Sequence, residues 1–122
     1  MTDPVMILIA DDHPLFRMAL TQAIGLAFEQ ATIKEAGSID EVQQVLEKGT
    51  PYDLLLLDLQ MPGAQGFSGL IYLRGHYPEI PIVVVSGKDP DKVAAKAISH
   101  GASGFIPKST GLPDIAAAIK TV

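Results

Sequence analysis

Residues 5–12 read Val5-Met6-Ile7-Leu8-Ile9-Ala10-Asp11-Asp12. This apolar run, of strand length and ending on two carboxylates, decides the fold class. A strand with one wet face would alternate apolar and polar residues. This one does not, so both its faces are buried, as in a parallel sheet covered on both sides. Residues 54–57, four leucines between Asp53 and Asp58, repeat the pattern, and residues 80–85 repeat it before Ser86 and Gly87. Residues 32–36 and 103–106 make two weaker strands.

Helical periodicity fills the gaps. Leu15, Phe16, Ala19, Leu20, Ala23, Ile24, Ala27 and Phe28 recur at a spacing that sets them on one helical face. Ser38 and Glu41 form a candidate capping box ahead of Val42, Val45 and Leu46. Phe67, Leu70, Ile71 and Arg74 predict a third helix after Gly66. Val93, Ala94, Ala97 and Ile98 predict a fourth, stopped by Gly101. Pro113 suits the first turn of a fifth, with Ile115, Ala116 and Ile119 facing inward. The chain is thus an α/β protein, a (βα)5 doubly wound parallel sheet with right-handed crossovers.

Composition agrees. The 122 residues suffice for one domain with a full core, 48% are apolar, and there is no cysteine to staple it. The N-terminus is acidic and its apolar run is short, unlike a signal peptide. No stretch approaches the roughly 20 apolar residues of a membrane span. A cytoplasmic protein without membrane association is expected. Nine basic against fourteen acidic residues give a net charge of −5, which repels a phosphate backbone on average. This chain is not expected to bind nucleic acid directly.

The polar residues fall where the chemistry of such a sheet is expected, beyond the carboxyl ends of the strands. Asp11 and Asp12 follow the first strand, Asp58 the third, Ser86 the fourth and Lys108 the fifth. The parallel arrangement brings them to one edge. Two carboxylates about 5 Å apart repel by roughly 3 kcal/mol at an effective dielectric of 20. Such a cluster needs protons, a hard divalent cation or a lysine to neutralise it. This equipment suits phosphoryl transfer, which depends on positioning and on charge neutralisation. A carboxylate can be the nucleophile, forming an acyl phosphate. A cation and Lys108 would take up charge on the phosphoryl oxygens, and the Ser86 hydroxyl would donate to another.

Four segments carry a family resemblance: residues 11–17 (Asp-Asp-His-Pro-Leu-Phe-Arg), residues 57–63 (Leu-Asp-Leu-Gln-Met-Pro-Gly), residues 84–87 (Val-Val-Ser-Gly) and residues 101–108 (Gly-Ala-Ser-Gly-Phe-Ile-Pro-Lys). Together they resemble the receiver domains of two-component response regulators, and the first and last are similar to the NarL/FixJ subfamily. The resemblance covers residues 1–122 as one receiver domain. It implies a flavodoxin-like sheet of order 2-1-3-4-5. It implies Asp58 as phosphoacceptor, with Mg2+ (or Mn2+) held by Asp11, Asp12, Asp58 and the backbone carbonyl of Gln60. It implies Lys108 and Ser86 as phosphoryl contacts, and Ser86 and Phe105 as the switch pair. It further implies a sensor histidine kinase as donor and homodimerisation on phosphorylation. A LuxR-type helix-turn-helix output domain is expected beyond this chain. Such a domain is no enzyme, beyond catalysing its own phosphorylation and dephosphorylation. Ser86 stands where threonine is commoner and Phe105 where tyrosine is frequent. Ser109 replaces the proline that often follows the lysine, so no cis bond is expected at 108–109.

Plainer readings stand beside these. Asp11 and Asp12 could cap a helix, Asp58 could serve a turn, Ser86 could be a loop serine and Lys108 a solvated lysine. Their coincidence at one edge favours the site. His13 is taken as a helix-entry residue rather than a ligand, because Mg2+ prefers oxygen. His76 and His100 read as surface residues, and Phe16, Phe28 and Phe67 as core. Two other functions are weighed. A metal-dependent phosphatase or hydrolase would need an acid near its nucleophile, but Gln60 stands two residues after Asp58. A phosphorylation-independent interaction module would not need the five site residues.

Overall fold

A computed structural model describes residues 4–63 and 66–121. The elements alternate strictly: β1 (Val5–Ala10), α1 (Pro14–Ala27), β2 (Ala31–Ala36), α2 (Ile39–Glu47), β3 (Leu54–Asp58), α3 (Ser68–His76), β4 (Ile82–Ser86), α4 (Pro90–Ser99), β5 (Gly104–Pro107) and α5 (Leu112–Thr121). The five strands form one sheet in the order β2-β1-β3-β4-β5, with every neighbouring pair parallel.

Strand alternation divides the core into two layers. Leu8 and Ala10 of β1, Leu55 and Leu57 of β3, and Ile82 and Val84 of β4 face one layer. There they meet Val42 and Leu46 of α2, Leu70 and Leu73 of α3, and Ala97 of α4. The intervening residues Ile7, Ile9, Leu54, Leu56, Val83 and Val85 face the other layer. It holds Leu20, Ala23 and Ile24 of α1 with Ile115, Ala116 and Ile119 of α5. Burial of each large aliphatic side chain contributes about 1.5–3 kcal/mol, before conformational entropy is subtracted.

The capping box is present in modified form. Ser38 Oγ accepts from the Glu41 N–H at 3.2 Å, while Glu41 Oε2 accepts from the Gly37 N–H rather than from Ser38. Gly101 closes α4 with φ +105°, a conformation that glycine adopts without a Cβ penalty.

Several faces differ from the expected ones. Leu15 is 82% exposed, and Ile71 and Ile98 are also exposed. In each case an adjacent apolar pair suggested a wider buried stripe than the helix presents. Leu20, Leu70 and Ala97 carry the packing instead. Phe67 lies outside α3 as its N-cap residue. β4 begins at Ile82, since Ile80 and Pro81 precede it; proline has no N–H for a ladder. No peptide bond is cis among the described residues.

Candidate functional site

The register of the three central strands builds the site. Ala10 is paired with Leu57, so Asp11 and Asp58 leave adjacent strands side by side. Asp58 is paired with Val85, and Ser86 with Pro107, so the serine and Lys108 enter from the far side. The loop after β3 is held down by the buried side chains of Leu59 and Met61. The Gln60 N–H donates to Asp58 Oδ1 at 3.0 Å. The Lys108 N–H donates to the Ser86 carbonyl at 2.8 Å, tying the fifth strand end to the fourth.

Asp11 and Asp58 are each only 1% exposed. Burying two carboxylates is unfavourable without positive partners. Lys108 supplies one: its Nζ lies 3.1 Å from Asp58 Oδ2 and 3.4 Å from Asp11 Oδ2. The contact to Asp11 is an ion-pair distance only. Asp11 Oδ2 is buried and accepts no hydrogen bond among the described residues. The Lys108 ammonium also stands over the Phe16 ring, 5.1 Å from its centroid, a cation–π arrangement.

The structure therefore joins Asp11, Asp12, Asp58 and Lys108 in one pocket, and it adds His13. Asp11, Asp12, His13 and Asp58 each bring one donor atom to a group whose members lie within 4.8 Å of one another. His13 is the N-cap residue of α1, in keeping with its expected place, but its Nδ1 also lies 3.1 Å from Asp11 Oδ1 and 3.0 Å from Lys108 Nζ. The adjacency of His13 to Asp11-Asp12 was the available signal. Preference for oxygen ligands turned the sequence reading away from it. Arg17 is a second residue not singled out: its Nε donates to the Asp11 carbonyl, and it lies 3.9 Å from Glu35 Oε1.

Ser86 and Phe105 are placed differently. Ser86 is fully buried at the end of β4, and its Oγ accepts from the Lys88 N–H at 3.1 Å. Phe105 is half-buried on β5 and packs against the layer that holds Leu57 and Val84. His76 is exposed and stacks on Tyr72 with ring centroids 4.0 Å apart. His100 is exposed, with its ring 5.0 Å from that of Phe67.

The donor set fits a divalent cation. Carboxylate oxygens are the ligands that Mg2+ and Mn2+ favour, and Asp11 Oδ2 is a buried acceptor with no hydrogen bond. A cavity of about 370 Å3 opens beside the pocket, lined by His13, Leu15, Phe16, Gln60 and Lys108.

A doubly wound sheet with an acidic pocket and a lysine at its carboxyl edge defines a class of phosphoryl-accepting signalling domains. Comparison with known proteins places the chain within it: the sequence model of the response regulator receiver domain matches residues 7–120, and the chain belongs to that family. It is 42% identical over 116 residues to the glycerol metabolism activator of Pseudomonas putida, covering 95% of this chain and 52% of that protein. It is 33% identical over 117 residues to the nitrate/nitrite response regulator NarL of Escherichia coli, covering 96% of this chain and 54% of NarL. The chain thus spans about half the length of these relatives. Among solved structures, the signal receiver domain of NarL from Mycobacterium tuberculosis superposes with a TM-score of 0.82 at 27% identity, covering 97% and 94% of the two chains. A LuxR family DNA-binding response regulator from Silicibacter pomeroyi gives 0.81 at 29% identity, covering 94% of this chain and 88% of that one. The chain is a receiver domain of the NarL type, and no helix among its described residues is long and apolar enough to cross a membrane.

Proposed function

We propose that Asp58 accepts a phosphoryl group from a sensor histidine kinase. The observation that carries this reading is a buried carboxylate at a strand end, 3.1 Å from an ammonium and grouped with two further carboxylates. The carboxylate oxygen attacks phosphorus and the bond to the donor's ring nitrogen breaks. The nitrogen keeps the electron pair, and an acyl phosphate remains on Asp58. Asp11, Asp12, Asp58 and the main-chain carbonyl of Gln60 would hold Mg2+ or Mn2+, which when bound draws negative charge from the phosphoryl oxygens. Lys108 is positioned to pair with a phosphoryl oxygen. Ser86 Oγ would turn from its Lys88 partner toward another, and Phe105 would turn inward with it. This biases an equilibrium between two arrangements of the β4–α4–β5 surface.

The reaction ends with water, which hydrolyses the acyl phosphate, so the domain catalyses only its own phosphorylation and dephosphorylation. In the whole protein, its output is a LuxR-type DNA-binding domain in the cytoplasm, and phosphorylation promotes homodimerisation.

The test is incubation with acetyl phosphate and Mg2+, read by intact mass and peptide mapping. The wild type should gain one phosphoryl group on Asp58, and Asp58→Ala should gain none. Equal labelling of the two proteins would overturn the assignment.

A further inference from the structure

Mg2+ demands near-ideal octahedral geometry, so carboxylates that share it must leave the main chain in fixed directions. Asp11 and Asp12 are joined by a single peptide group. Three contacts hold the Asp11 side of it. The Asp11 N–H donates to the Ala36 carbonyl at 3.0 Å, Asp11 Oδ1 accepts from the His13 N–H at 2.7 Å, and the Asp11 carbonyl accepts from Arg17 Nε. The third contact sets the tilt of the peptide plane from which both carboxylates leave. Asp11 is 1% exposed, so this carbonyl is out of water and requires a donor.

The fold delivers the guanidinium to this point. Arg17 ends the first turn of α1, and its N–H donates to the His13 carbonyl at 3.0 Å. Helical side chains lean toward the N-terminus of their helix, which turns Arg17 back onto the end of β1. Gly37, just past β2, leaves room for it: a Cβ there would stand 3.0 Å from Arg17 Nη2. An ion pair does not account for the placement. Glu35 Oε1 is 3.9 Å from Nε and the glutamate side chain is 45% exposed, a pair of little worth in water. The carbonyl of Asp11 is the partner that the geometry favours.

We infer that Arg17 is a positioning residue of the cation site. Its hydrogen bond to the Asp11 carbonyl holds the Asp11–Asp12 peptide, and with it both carboxylates, in the directions that a divalent cation requires. This rests on the reading of the pocket as a Mg2+ site. Outer partners of metal ligands govern affinity by about ten- to a hundredfold. Charge alone would act in the opposite direction. A guanidinium beside an acidic pocket repels a dication, so its removal would tighten cation binding. The sign of the effect therefore separates the two roles.

Calorimetric titration with MgCl2 tests the inference on the wild type, Arg17→Gln, Arg17→Met and Asp11→Ala. Glutamine places an amide N–H where Nε stands, methionine places a methyl group there, and both lack the charge. Arg17→Met should bind Mg2+ about tenfold more weakly than Arg17→Gln. Arg17→Gln should match the wild type or bind more tightly. Urea unfolding in EDTA checks that each variant is folded at the titration temperature, and Arg17→Leu replaces Arg17→Met if the latter is not. If the apolar variant binds Mg2+ as tightly as Arg17→Gln, the positioning role is overturned and the cation site stands. If the wild type binds no Mg2+, or Asp11→Ala binds it equally well, the reading of the pocket falls and this inference with it.

Discussion

Asp58 sits in a balance of opposed charges. Carboxylates grouped within 4.8 Å repel by roughly 3 kcal/mol per pair at an effective dielectric of 20, and an ammonium at ion-pair distance returns about 5 kcal/mol. Asp12 is 37% exposed on its side chain, so its share is screened. The pair terms then nearly cancel, and burial of the Asp58 carboxylate, 1% exposed, leaves its charge mildly unfavourable in the absence of a divalent cation. Asp58→Asn should therefore stabilise the chain in EDTA, by about 1 kcal/mol or roughly 4 °C in Tm. Lys108 makes this gain smaller than the carboxylates alone would imply, because the same substitution weakens the contact of Nζ with Oδ2. A lower Tm for Asp58→Asn, measured by scanning calorimetry, would show that the lysine contact outweighs the repulsion. At this scale the sequence was legible for Asp11, Asp12, Asp58 and Lys108. All four are strand-end residues, and parallel pairing alone brings them together. His13 was not legible as a pocket member, since its reach to Asp58 Oδ2 depends on how α1 leaves the sheet.

At the scale of elements, the corner between α4 and β5 is tightly constrained. Gly101 has φ +105°, and a Cβ built there would stand 2.7 Å from Arg74 Cγ. Arg74 cannot easily withdraw, because its Nε donates to the Gly101 carbonyl at 3.0 Å and its Nη1 to the Pro78 carbonyl at 2.9 Å. Gly101→Ala combines left-handed strain with this clash and should cost about 2–3 kcal/mol in urea unfolding. A loss below about 0.5 kcal/mol would mean that the corner yields freely. The sequence marked Gly101 as a helix stop, but nothing in it linked that glycine to Arg74, 27 residues away. Helix faces were legible where apolar spacing was unambiguous, as for Val42 and Leu46 of α2. Where two apolar residues adjoined, as in Leu15-Phe16 and Leu70-Ile71, only the direction of packing chose between them.

For the whole molecule, cation binding and folding are linked, since the pocket exists only when β1, β3 and β5 are aligned. A divalent cation at about a hundredfold above its Kd should add about 2.7 kcal/mol of stability, roughly 10 °C in Tm. EDTA should reverse the shift, and Asp11→Ala should abolish it. An equal rise in that variant would place the bound cation elsewhere. The order of the strands, by contrast, owes nothing to a cation, because both core layers close through apolar contacts away from the acidic pocket. The sequence by itself determined the alternation of strand and helix, the parallel sheet and the convergence of its acidic strand ends. These follow from local periodicity and from where apolar runs stop. Tertiary structure alone decided which of two adjoining apolar residues a helix buries, how Lys108 divides between Asp11 and Asp58, and that His13 belongs to the pocket. Those depend on distances between residues remote in the chain, set by register and by the angle of each helix on the sheet, which no local pattern encodes.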